Sequence, residues 1–138
     1  MSTKTTINDC RMIDIRRYTD NRGYLSVVEG NLDVPFEIKR IYYLYMVPEV
    51  ARGAHAHKGL QQLLIATSGS VDIIMDDGAN KQTFHLDKPW KGLLIPAGLW
   101  RDLERFSSDA VLLCLANEHY DENDYIRQYA DFLKFKGL

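Results

Sequence analysis

The chain has 138 residues, 46% hydrophobic and 26% charged, a balance that suits a globular unit with a buried core and excludes a disordered or fibrous polymer. Its net charge of −2, with both signs interspersed, supplies no basic stripe for phosphates, so nucleic acid is not an expected partner. No apolar run approaches the ~20 residues that cross a bilayer, and the opening MSTKTTIND lacks the apolar centre of a secretory signal; no membrane contact and a cytoplasmic location are expected.

In chain order, the runs RMIDIR (11–16), YLSVVE (24–29) and FEIKRIYYLYM (36–46) predict strands. They are followed by GAHAH (53–57), QQLLIATS (61–68), VDIIMD (71–76), QTFHL (82–86), KGLLI (91–95) and AVLLCLA (110–116). Such runs at close spacing, parted by turn chemistry, are the pattern of a β-sandwich or barrel. Asp20-Asn21-Arg22-Gly23, Ser68-Gly69-Ser70, Asp76-Asp77-Gly78 and Pro96-Ala97-Gly98 supply residues that fix φ or tolerate φ > 0. Asp77-Gly78 is the strongest hairpin signal. The period then changes: apolar residues at 125, 126, 129, 132 and 133 form a helical stripe, with Asp121 placed to cap it. An all-β body with one short C-terminal helix results, and with no linker or repeat, residues 1–138 read as one domain. Cys10 and Cys114 are the only cysteines and read as reduced thiols rather than a disulfide framework.

The chemistry concentrates in RGAHAHKGLQQ (52–62). Residues i and i+2 of a strand share a face, so His55 and His57 both project inward, while the alanines face another sheet layer. A metal would need further ligands, commonly a carboxylate and a later histidine. Gln62 and Arg101 stand at those places, His85 and His119 lie elsewhere, and a guanidinium repels a cation. No metal is expected. Two close imidazoles suit proton transfer near neutral pH, whereas Ser68 and Ser70 lie in a turn and the chain has no G-x-S-x-G elbow for nucleophilic catalysis.

RGAHAHKGLQQ, SGSVDIIMDDG and IPAGLWRDL, with KRIYY before them and YDENDYIRQYADF after, resemble the conserved blocks of the cupin superfamily, and in particular the dTDP-sugar 3,4-ketoisomerases. The resemblance runs from Asp20 onward. It implies a jelly-roll barrel whose N-terminal strand is exchanged in a homodimer, with no metal and no cofactor. It also implies the activity: dTDP-4-keto-6-deoxy-D-glucose becomes its 3-keto isomer, the precursor of 3-amino-3,6-dideoxy sugars of surface polysaccharides, such as lipopolysaccharide O-antigen, or of antibiotics.

By that resemblance His55 is the base at C3 of the sugar, and His57 assists proton movement between the C3 and C4 oxygens. Tyr42 matches an active-site tyrosine, which leaves Tyr43 on the opposite face. Arg22, Arg52, Arg101 and Arg127 are candidates for the diphosphate, since guanidinium pairs well with phosphate oxygens; Arg22 would serve the other protomer. Trp100 and Tyr120 are candidates to border base or sugar, and Gln62 is a candidate to bind substrate, or else fills a polar place in the barrel. Arg52, His57 and Arg101 are available to stabilise charge on an enediolate. Other readings of the same residues are a 3,5-epimerase, a non-catalytic nucleotide-sugar-binding cupin and, weakest, a metal-dependent dioxygenase.

Overall fold

A computed structural model of the chain describes residues 2–48 and 52–138. Its strands are β1 (Arg11–Asp14), β2 (Arg16–Asp20), β3 (Gly23–Val27), β4 (Arg40–Tyr45), β5 (Arg52–His57), β6 (Gln62–Ser68), β7 (Val71–Asp76), β8 (Lys81–Leu86), β9 (Lys91–Ile95), β10 (Trp100–Glu104), β11 (Val111–Ala116) and β12 (Tyr125–Ile126), with one helix, α1 (Tyr129–Phe135). Two five-stranded sheets, ordered β1-β9-β6-β11-β4 and β12-β5-β10-β7-β8, face each other, and β2-β3 forms a separate ribbon. The expected all-β body with a C-terminal helix is what the chain builds.

Between the sheets lie Leu64, Ala66, Ile73, Met75, Leu93, Ile95, Leu103 and Leu112, the inward halves of alternating strands. The near-continuous apolar run of β6 has a separate cause. Its other face, Leu63 and Ile65, is covered by Ile15, Val34 and Phe36, so both faces of this strand are buried and alternation disappears. A third cluster backs β5: Ala56 packs with Trp100, Ile126 and Phe132. Ala56 therefore meets the C-terminal helix and not another sheet layer as its alternation suggested.

Four local outcomes differ from the sequence reading. RMIDIR breaks at Ile15: β1 pairs with β9, while β2 departs to pair with β3 around the Asp20–Gly23 turn. Of FEIKRIYYLYM only Arg40–Tyr45 is strand; Phe36 and Ile38 instead cover the outer face of the first sheet. The strand WRDLE had no apolar run to announce it, yet β10 lies at the centre of the second sheet between β5 and β7. The C-terminal stripe splits, because Asp121 caps a 3₁₀ turn over Glu122–Asp124, Tyr125–Ile126 joins β5 as a strand, and the helix begins only at Tyr129 without a side-chain cap.

Phe132 is the anchor of that helix, 0% exposed and 5.8 Å by ring centroid from Trp100. Phe132→Ala removes a fully buried ring and is expected to destabilise the fold by about 3–5 kcal/mol, measured by urea unfolding. Because the ring supports the back of β5, the same variant should weaken the histidine-bearing strand first, seen as faster amide exchange in residues 54–57 than in β6.

Candidate active site

The sheets part at one end around a cavity of about 690 Å³, reached by residues of β4, β5, β6, β10, β11 and the C-terminal segment. β5 enters it through an irregularity. Arg101 pairs with His55 and Leu103 with Arg52, so β5 carries one residue more than β10 between those pairs. Gly53 takes φ +85 there, and a Cβ on it would lie 2.8 Å from Leu103 Cγ. Only glycine meets both demands, which accounts for the glycine of RGAHAH.

Beyond the bulge, regular alternation puts both imidazoles on one face, their ring centroids 4.8 Å apart and nearly perpendicular. Nε2 of His55 lies 3.1 Å from Nε2 of His57. The two are not equivalent, since His55 lines the cavity and His57 is 0% exposed behind it. Nδ1 of His57 lies 3.0 Å from Asp124 Oδ2. Burial, then the Arg101 charge, hold His55 down at about 3 from 6.5; the same two causes depress His57 further. Both rings are therefore neutral in the free protein at neutral pH.

On the facing sheet, Tyr42 and Gln62 point into the same space. Gln62 Nε2 donates to Tyr42 Oη at 2.9 Å, and Gln62 Oε1 accepts from Arg101. Each is fixed by the next. Arg101 is 2% exposed, and its other hydrogen bond goes to the Leu99 carbonyl at 3.2 Å, while its Nε has no partner among the described residues. A buried guanidinium hydrogen-bonded only to neutral oxygens is short of negative charge. Burial raises the Tyr42 phenol and pushes the Cys114 thiol up to about 12, so neither ionises to supply that charge. Tyr43, by contrast, is 58% exposed on the outer face, as the alternation of β4 requires.

At the cavity mouth stand Arg52, Tyr120 and Arg127. Arg127 makes a two-pronged pair with Glu122, at 2.6 and 2.8 Å, and lies 4.2 Å over the Tyr125 ring. That guanidinium holds the Glu122 carboxyl at about 2. Tyr120 Oη donates to the same carboxylate at 2.5 Å.

Of the ten residues proposed from the sequence, seven line this space directly: Tyr42, Arg52, His55, Gln62, Arg101, Tyr120 and Arg127. His57 stands one layer behind. Trp100 does not reach the cavity: it neighbours Arg101 on β10 and so takes the opposite face, where it packs against Tyr129 and Phe132. The expectation that it borders the ligand is corrected on that ground. Arg22 lies on the β2-β3 ribbon, paired with Asp20 at 2.5 Å, away from this chain's own cavity.

Three residues escaped the sequence reading: Arg40, Asp124 and Tyr125, whose ring lines the cavity. Arg40 lines the cavity, 4.6 Å over the Tyr42 ring and 5.5 Å over that of Tyr120, with a buried Nη1 that has no partner among the described residues. Its position two residues before Tyr42 was the available signal. Asp124 carries no such periodicity, because it is brought to His57 by the pairing of Tyr125 with His57.

Comparison with known proteins agrees with the arrangement. Residues 8–137 match the family described as WxcM-like, C-terminal (FdtA). The chain belongs to the WxcM-like sugar 3,4-ketoisomerase family. It is 44% identical to the TDP-4-oxo-6-deoxy-alpha-D-glucose-3,4-oxoisomerase of Aneurinibacillus thermoaerophilus over 126 residues, 91% of each chain. The WlaRB TDP-quinovose 3,4-ketoisomerase of Campylobacter jejuni superposes with a TM-score of 0.89 at 47% identity, over 93% of this chain and 99% of that one. A variant of the QdtA 3,4-ketoisomerase from Thermoanaerobacterium thermosaccharolyticum, solved in complex with TDP-4-keto-6-deoxyglucose, superposes with a TM-score of 0.90 at 38% identity, covering 94% of both chains. This family member is an isomerase with the cupin-type sandwich its relatives share.

Proposed function

We propose that the chain converts dTDP-4-keto-6-deoxy-D-glucose to the 3-keto isomer by proton transfer within the cavity. The observation that carries the reading is a cavity-facing His55 beside the buried Arg101, its partner across the β5-β10 pairing, in a space that Tyr42 also lines. An unprotonated imidazole can take a proton, and a guanidinium in a dry site stabilises the oxyanion that follows.

In this mechanism His55 removes the C3 proton beside the C4 ketone. The electron pair moves into C3–C4 and onto the C4 oxygen, giving an enediolate held by Arg101. The C3 hydroxyl proton passes to the C4 oxygen, with the Tyr42 hydroxyl, held by Gln62, as its carrier. His55 then returns its proton to C4 as the C3 carbonyl forms. Substrate and product differ only in where two hydrogens sit, so no external oxidant or reductant enters.

Arg40, Arg52 and Arg127 stand where a diphosphate would lie across the mouth, and the Tyr120 and Tyr125 rings supply a surface for base or sugar. Arg22 is assigned to the cavity of a second copy. The ribbon that carries it exposes Tyr18, Tyr24 and Leu25, apolar area that docking on a homodimer partner would cover. On this reading the enzyme works in the cytoplasm, and its ketone product suits amination to a 3-amino-3,6-dideoxy sugar.

The deciding experiment is proton NMR of dTDP-4-keto-6-deoxyglucose incubated with the purified protein in heavy water. A 3-keto product is expected, with deuterium at C4 in those turnovers in which the proton held on His55 exchanges with solvent before its return, and its couplings give the C4 configuration. Deuterium at C5 would instead make the chain an epimerase, and TDP binding with neither 3-keto product nor exchange at any carbon would make it a binding protein.

A further inference from the structure

His57 is fully buried and absent from the cavity wall, so it has no route to the sugar except through His55. Its two nitrogens face different groups. Nδ1 meets Asp124 Oδ2 at 3.0 Å, and Nε2 meets His55 Nε2 at 3.1 Å. Asp124 is itself held, because its Oδ1 accepts from the Gly59 backbone N–H at 2.7 Å and its carbonyl from Lys58 N–H at 2.9 Å. The backbone bond fixes the Asp124 main chain beside β5, and swinging the carboxylate away would break its bond to the Gly59 N–H.

A carboxylate offers only lone pairs. The Asp124 contact therefore requires the proton of a neutral His57 to sit on Nδ1, which leaves Nε2 bare and turned toward His55. When His55 takes a proton at Nε2, a second lone pair already faces it 3.1 Å away. The proton can be shared across the contact, and the positive charge that results lies one ring from the Asp124 carboxylate. The other charged groups near the pair are Arg40, Arg101, Arg127 and Glu122; three of these are cations that oppose a proton there. Asp124 is the anion placed to offset them from behind.

We propose that Asp124 is a positioning residue for the isomerisation: through its bond to Nδ1 it keeps Nε2 of His57 unprotonated against His55, making the two histidines a single acceptor for the sugar's proton. The inference rests on the ketoisomerase reading above and changes the expected role of His57. Rather than touching the sugar oxygens, His57 acts through its neighbour.

Asp124→Asn tests this with almost no change of shape. The Gly59 N–H selects the amide oxygen for the Oδ1 place, so the amide NH₂ takes the Oδ2 place and donates to His57 Nδ1. The tautomer is then forced to Nε2–H, which points a proton at His55 and blocks the shared site. We expect kcat to fall by about 10²-fold or more, with KM and TDP affinity changed by less than about threefold. Nitrogen-15 spectra of the histidine rings should show His57 protonated at Nδ1 in the wild type and at Nε2 in the variant. A variant kcat within about threefold of wild type, or a wild-type His57 already protonated at Nε2, overturns the proposal. The wild-type spectrum decides even if the variant does not fold. Wild-type protein that shows the Nδ1–H tautomer but no isomerisation would instead strike the ketoisomerase reading alone.

Discussion

His55→Asn is expected to lower isomerisation by at least about 10³-fold while leaving TDP affinity within about threefold of wild type. Asparagine retains a polar tip of similar reach but has no nitrogen lone pair of comparable basicity, so it fills the place without taking a proton. The arginines that would hold the diphosphate, Arg40, Arg52 and Arg127, lie on β4, β5 and the C-terminal segment, and none needs the imidazole to stay in position. Steady-state kinetics with calorimetric TDP titration checks both halves. Normal turnover by this variant would remove the base from the mechanism. Loss of TDP binding together with activity would make His55 a binding residue.

The pH dependence follows from the same residue. A base works unprotonated, and His55 stays so until the pH falls toward about 3; kcat/KM should therefore show no acid limb from His55 between pH 5 and 8. Stability behaves differently. A histidine whose folded pKa is depressed binds more protons unfolded than folded, so stability is lost as pH drops below the ordinary value near 6.5. With His57 depressed in the same direction, the melting temperature should be lower at pH 5 than at pH 7.5, and replacing both histidines with glutamine should flatten that difference.

The site was legible from sequence where one strand carried it. Alternation placed His55 and His57 on one face and Tyr42 and Tyr43 on opposite faces, because a regular strand fixes its faces without reference to the rest of the fold; that Tyr42 is the inward one came from the family resemblance. Arg40 obeys the same rule and was there to be read. Alternation also assigns neighbours to opposite sides, so Trp100 and Arg101 could not both line the cavity once WRDLE was a strand; that strand was missed because its five residues include three charges. Asp124 and the split of the C-terminal stripe were not legible locally. Residues 125, 126, 129, 132 and 133 are apolar at helical spacing, but Tyr125 and Ile126 are recruited by the free edge of β5, a tertiary pairing that overrides the period. The same event that hid the helix start delivers Asp124 to His57.

Arg101→Met is expected to separate stability from activity, raising the melting temperature while reducing kcat/KM by roughly 10²–10³-fold. The guanidinium is 2% exposed and is hydrogen-bonded only to the neutral Gln62 and Leu99 oxygens. Desolvating an ion costs several kcal/mol, whereas the orphaned Gln62 oxygen left by methionine costs about 1–3 kcal/mol. The cation is therefore the larger cost, and methionine fills a similar volume without it. In exchange the site loses the charge that meets the developing oxyanion, and Gln62 loses one of the two bonds that aim it at Tyr42. Circular dichroism melts and steady-state kinetics on one preparation provide the check. A lower melting temperature would mean that the surrounding dipoles alone stabilise the buried charge, and unchanged kcat/KM would place the oxyanion elsewhere in the cavity.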